Sequence, residues 1–158
     1  MTDRGRDGSS ERHALDRAPW REHAAGRLIG RGHPAGDFLE AYDWRVLEER
    51  AGYLRLSAHV PDHVRNPRGQ LFGGFTPTYV DLVALFTFRA GSRDRVWGSW
   101  LATLRMEVEY LEPVVGARIE IVSEVTARRG RNAWVQTRFL GDDGEPRVLA
   151  TTVLRAAE

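Results

Sequence analysis

The most suggestive chemistry in the sequence centres on Asp81. It is the single carboxylate in GQLFGGFTPTYVDLVALFTF, residues 69–88, a stretch that opens on a glycine-rich turn and is otherwise largely aromatic and aliphatic. Gly73-Gly74 offers tight backbone, Thr76 stands as an N-cap candidate, and Pro77 falls just inside the predicted helix. At 3.6 residues per turn, Phe75, Tyr79, Val83 and Phe86 share one stripe, while Thr78, Asp81, Leu85 and Phe88 share another. Asp81 therefore sits within the first two turns, on a mostly apolar face. The helix dipole stabilises a carboxylate there by a few tenths to about 1 kcal/mol. Full burial would cost several kcal/mol. Such a group needs either a hydrogen-bonded niche or a wet cleft, and a wet cleft beside a helix N-terminus is where an enzyme can keep an ionised base. From spacing alone, a structural cap and a catalytic carboxylate both stand.

The elements that must hold Asp81 can be read from periodicity. PAGDFLEAYDW, from Pro34, predicts a short helix with Asp37 near its start. In RVLEERAGYLRLSAHV, Ala51-Gly52 separates two extended runs, and Leu54, Leu56, Ala58 and Val60 alternate with polar neighbours, which predicts a hairpin. After the central helix come four more period-2 stretches, SWLATLRMEVEYL, ARIEIVSEVTARR, AWVQTRFL and RVLATTVLRA. The turn-forming segments EPVVG, GRN and GDDGEP join them, so the expected arrangement is an antiparallel meander. A helix apolar on most faces needs cover all round, and a curved antiparallel sheet would supply it.

Composition narrows the classes further. The chain has 158 residues, enough for one core. Its 23 basic residues, all arginine, nearly cancel 22 acidic ones, which argues against a nucleic-acid-binding domain. There is no cysteine, so thiol catalysis and cysteine-based metal sites are excluded. The five histidines show no metal-ligand spacing. No secretory h-region opens the chain, and the apolar run at Tyr79–Phe88 is too short to span a bilayer. The expectation is a cytoplasmic protein with no membrane partner. Residues 1–33 are polar and of mixed charge, which predicts a flexible arm ahead of a single domain over 34–158. A short helix over Glu11–Ala25, docking through Leu15 and Trp20, is the alternative for that arm.

The run Asn66-Pro67-Arg68-Gly69-Gln70-Leu71-Phe72-Gly73-Gly74, with Asp81 nine residues after Phe72, resembles the N-x-x-G-x-x-H-G-G motif of hotdog-fold acyl-CoA thioesterases, in the phenylacetic-acid-degradation branch. TLRMEVEYLEP resembles the strand of that family ending in an aromatic-Leu-x-Pro signature, and Arg128-Arg129-Gly130-Arg131 resembles its basic turn. The resemblance covers roughly residues 36–157. It implies an α+β hotdog fold, a curved antiparallel sheet wrapped around one long central helix, and hydrolysis of an acyl-CoA or acyl-carrier-protein thioester. Asp81 would then be nucleophile or general base, and the Gly73 N–H would polarise the thioester carbonyl. Asn66 would orient the substrate or the lytic water. Thr103, supplied by the facing subunit, would hold that water. Gly74 and Phe72 would line the substrate site, and Arg129 and Arg131 would anchor the phosphates of coenzyme A, which is part of the substrate; no separate cofactor or metal is implied. A homodimer or dimer of dimers is expected, because a lone hotdog leaves a sheet edge and part of the helix uncovered.

Each of these residues also has a plainer reading. Asn66-Pro67 is a common turn initiator. Thr103 is by default a β-branched strand filler. Arg129 and Arg131 suit a solvated turn. This chain has Phe72 where the family usually has His, which keeps open a non-catalytic hotdog that binds acyl thioesters as a sensor or scaffold. A lengthened loop, GSRDRVWGSW, brings Trp97 and Trp100 as lining for a bulky acyl group or as ordinary packing. Hotdog dehydratases and hydratases use a histidine on or beside the central helix. None occurs there, so hydration chemistry is disfavoured.

Overall fold

The computed structural model describes residues 24–91 and 101–156. Leu15, Trp20, Trp97 and Trp100 lie outside the described residues. Helix α1 (Pro34–Phe38) starts with the His33 ring accepting the Gly36 N–H and is followed by a 3-10 turn at Ala41–Asp43. Strands β1 (Arg45–Arg50) and β2 (Tyr53–His59) form the expected hairpin, and Leu54, Leu56 and Ala58 point into the core. Helix α2 (Thr76–Arg89) comes next, then β3 (Leu101–Tyr110), β4 (Arg118–Arg129), β5 (Asn132–Leu140) and β6 (Pro146–Ala156).

All six strands form one antiparallel sheet in the order β1-β2-β4-β5-β6-β3. This corrects the expected meander, because β3 lies at the edge beside β6 and not next to β4. The segment after β3 carries the chain across, with Val114 O accepting from Leu71 N and Ala117 O from Val60 N, both at 2.9 Å. Pairing follows the side chains. Ile119 and Ile121 of β4 continue the buried face of β2, whereas β3 exposes Arg105, Glu107 and Glu109, which suit a solvated edge.

The packed unit also begins earlier than residue 34. Leu28 and Ile29 are buried in the core, Val46 N donates to Gly26 O, and Arg27 bridges to Arg45. Two apolar side chains ahead of α1 suffice to bind this segment to the sheet, which the arginine-rich composition concealed.

Helix α2 lies against the inner face of the sheet. Tyr79, Val80, Val83 and Ala84 are fully buried. Tyr79 stacks on Trp44 with ring centroids 5.1 Å apart, meets the edge of Phe139, and donates its hydroxyl to His59 O at 3.0 Å. Thr76 is not the N-cap: it is the first helical residue, and Phe75 precedes it without a side-chain cap. The glycine turn takes over the capping work, since Phe72 O accepts from Phe75 N and Gly73 O from Thr76 N. At the other end Gly91 has a φ of 71°, and a Cβ there would stand 2.5 Å from Ala51 N, so the helix stops where it touches the β1–β2 turn.

Candidate active site

The sheet seals most of α2 and leaves the stripe Thr78, Asp81, Leu85 and Phe88 partly buried. On that stripe the Thr103 hydroxyl donates to Asp81 Oδ1 at 2.5 Å. The carboxylate thus sits in a hydrogen-bonded niche that still reaches solvent. Asp81 and Thr103 were expected to meet across two subunits. Instead one chain supplies both.

A local irregularity in β3 makes the contact. Thr103 pairs with Leu154 and Arg105 with Val153, so Leu104 is an extra residue in the ladder. Beyond this bulge Met106 and Val108 pack on the core, while before it Leu101 is buried and the exposed Thr103 turns its hydroxyl to α2. Without the extra residue, parity would turn Leu104 toward the helix and Thr103 away. Leu104 is instead 52% exposed on the edge.

The glycine turn is built by other contacts. Asn66 Oδ1 accepts from the N–H of Arg68 at 2.9 Å and of Gln70 at 3.1 Å, and its Nδ2 donates to Gln70 Oε1 at 3.0 Å. In this structure Asn66 therefore closes the loop that presents the glycines. The N–H groups of Gly73 and Gly74 donate to no backbone carbonyl among the described residues. Tyr110, at the far end of β3, donates its hydroxyl to Gly73 O at 2.8 Å.

The space for a side chain is tighter at Gly74 than at Gly73. A Cβ on Gly73 would be in ordinary contact with Tyr110, at 3.5 Å, whereas one on Gly74 would come within 2.7 Å of the Phe72 ring. Phe72, half exposed, lies over Gly74 and meets Phe75 edge to face at 5.6 Å. Phe75 continues to Phe38, and Phe38 to His63. Phe72 thus begins an aromatic shelf beside the turn.

The basic turn stands elsewhere. Arg128 covers the Phe88 ring at 4.4 Å and donates to Phe88 O. Seven residues of helix, about 10 Å of rise, separate Phe88 from Asp81. Arg129 lines a shallow cleft of about 530 Å³ with Trp134, Gln136 and Thr151. Arg131 belongs to the β4–β5 turn, where its carbonyl accepts from Ala156 N. Among the described residues, no group of three or more acidic or histidine side chains is arranged to hold a metal, and no helix is long and apolar enough to cross a membrane.

Tyr110 and the Leu104 bulge escaped the sequence reading. The tyrosine was visible only as part of the aromatic-Leu-x-Pro signature, with no role attached. The bulge has no composition signal at all.

No family model and no curated protein matches the sequence. Solved structures do match in fold. Zebra fish thioesterase superfamily member 2 is 20% identical with a TM-score of 0.66, over 80% of this chain and 88% of that one. A phenylacetic acid degradation-related thioesterase from Ralstonia eutropha JMP134 is 21% identical with a TM-score of 0.65, over 78% and 90%. A hypothetical thioesterase protein from Streptococcus pneumoniae TIGR4, crystallised with coenzyme A, is 16% identical with a TM-score of 0.61, over 73% and 86%. Variants of that streptococcal protein with an aspartate or a threonine changed to alanine match as well. The six-stranded antiparallel sheet folded about one central helix is the hotdog fold, shared here with structures of the thioesterase superfamily.

Proposed function

We propose that the protein hydrolyses acyl-CoA thioesters, and the observation that carries this reading is the Asp81 carboxylate held by Thr103 on the open flank of α2. A carboxylate whose one oxygen is fixed by a hydroxyl has its other oxygen available to take a proton from water, or to attack a carbonyl itself. In the first route the water oxygen bonds to the thioester carbon and its proton passes to Asp81. The carbonyl electrons move to oxygen, where a glycine-turn N–H stabilises them. Collapse of the intermediate breaks the C–S bond, and the departing thiolate takes back the proton held by Asp81, which regenerates the carboxylate as the carboxylic acid is released. Coenzyme A enters as part of the substrate, and no other cofactor is required. The neighbours bound to or named for this chemistry, including one holding coenzyme A, support the reading.

A second copy completes the site in this proposal. Strand rise puts roughly 20 Å of β3 between Thr103 and Tyr110, and these two hold Asp81 and Gly73 respectively. Reacting atoms must approach to about 3–3.5 Å. Two chains joined along the unpaired edge of β3 would bring Asp81 and Thr103 of one copy to the glycine turn of the other. Sedimentation equilibrium reads the assembly: a chain that stays monomeric yet fully active sinks this arrangement. A cytoplasmic location, an aromatic or medium-chain acyl group, and Arg129 and Arg131 as phosphate anchors fit the same reading. Carrier-protein thioesters remain within the substrate class.

The test is thiol release from short, medium-chain, phenylacetyl and benzoyl CoA thioesters by the wild type and Asp81→Asn. A loss of about 10²–10⁴-fold is expected from removing the base. The ring of Phe72 over Gly74 favours a second reading, a binder of acyl thioesters without turnover. Thioester binding without thiol release by the wild type would select it.

A further inference from the structure

We infer that Tyr110 is a positioning residue that fixes the Gly73–Gly74 peptide, so that the Gly74 N–H joins the Gly73 N–H as a donor toward the thioester oxygen. This inference rests on the hydrolytic reading above. Its basis is a convergence of contacts on one peptide plane. Gly73 O accepts from the Tyr110 hydroxyl at 2.8 Å and from Thr76 N at 3.3 Å, so its carbonyl is held from two directions. The peptide is trans, as is every other described here, so the Gly74 N–H points opposite to that carbonyl. Hydrogen bonds accepted by the carbonyl polarise the amide and make its N–H a stronger donor. That N–H meets no backbone acceptor among the described residues. It stays available to a ligand.

Packing restrains the same plane. The Tyr110 ring lies over Gly73, at 3.5 Å from where a Cβ would stand, and the Phe72 ring closes on Gly74, at 2.7 Å from the corresponding point. The two aromatics bracket the glycine pair while leaving Gly74 exposed. Tyr110 is itself 54% exposed and stands at the end of β3, so its side chain adds little to the core. Among the described residues its hydroxyl makes one hydrogen bond, to this carbonyl.

Tyr110→Phe keeps the ring and removes the hydroxyl. Loss of an entire oxyanion donor lowers kcat about 10²–10³-fold, and loosening one should give a smaller fall, roughly tenfold, with KM and melting temperature held. The amide ¹⁵N shift of Gly74 in the substrate-free protein supplies a readout independent of turnover. It responds to hydrogen bonding at the preceding carbonyl, so it should move upfield in Tyr110→Phe. An upfield shift together with a kcat fall at constant KM supports the inference. An unmoved Gly74 resonance overturns it whatever the activity, as does an unchanged kcat in an active enzyme whose resonance has moved. If the wild type releases thiol from no thioester, the hydrolytic reading fails and the positioning role falls with it. A shifted resonance would then mark the Tyr110 contact as purely structural.

Discussion

The two faces of α2 set Tyr79 and Asp81 in comparable apolar company, and the fold treats them oppositely. Tyr79 is sealed between Trp44 and Phe139, with its hydroxyl on His59 O. Burial, the leading cause, pushes its phenol well above the ordinary value, so it stays a neutral donor. Asp81, two residues on and on the other flank, is partly open and bonded by a hydroxyl from the edge strand. Dry and fully satisfied surroundings make a polar group part of the scaffold, whereas wet and singly bonded surroundings leave it able to exchange protons. The same helix thus serves as core on one face and carries the candidate site on the other.

Substitutions on the two faces should separate these roles. Tyr79→Ala should have the largest effect on the fold, with a loss of about 3–5 kcal/mol of stability in urea unfolding, the range for truncating a buried aromatic. A loss under about 1 kcal/mol would mean that the sealed face is not sealed. Asp81→Asn should do the reverse, abolishing most thiol release while moving stability by less than about 1 kcal/mol. Collapse of the fold in that variant would return the carboxylate to a structural role. Thr103→Val conserves shape and removes the donor. A hydrogen bond to a charged group is worth about 1.5–3 kcal/mol, so kcat should fall roughly tenfold to a hundredfold, and unchanged kcat would reduce Thr103 to strand filler. Asn66→Ala should show the smallest effect, a few-fold loss of rate with about 1 kcal/mol of stability, because its side chain closes the loop. A loss rivalling that of Asp81→Asn would restore Asn66 to direct contact with substrate or water.

Much of this was legible in advance because local physics sets it. Alternation in YLRLSAH predicts β2 because only one face of that strand is buried. The apolar run after a glycine turn predicts α2, and its stripes at 3.6 residues per turn place Asp81 apart from Tyr79. The candidate site was legible to the extent that its residues lie on a single element. Asp81 and the glycine turn belong to one segment. The resemblance implies Thr103 but places it on the facing subunit, whereas its hydroxyl reaches Asp81 within one chain.

Two features were not legible for a specific reason. The alternation of TLRMEVEYL suits either parity, since Thr103 and Leu104 can both occupy an inward position on a half-polar strand. The bulge chooses between them, and it exists only because β6 holds the ladder on either side of Leu104. Likewise the turn residues in EPVVG announce a break without saying where the chain goes next. Sequence by itself determined the elements and the isolated carboxylate, since helix and strand periodicities depend on neighbours a few residues apart. Tertiary structure alone decided that β3 lies beside β6, that Thr103 reaches Asp81 in the same chain, and that Tyr110 grips the glycine turn, because each depends on contacts between residues far apart in sequence.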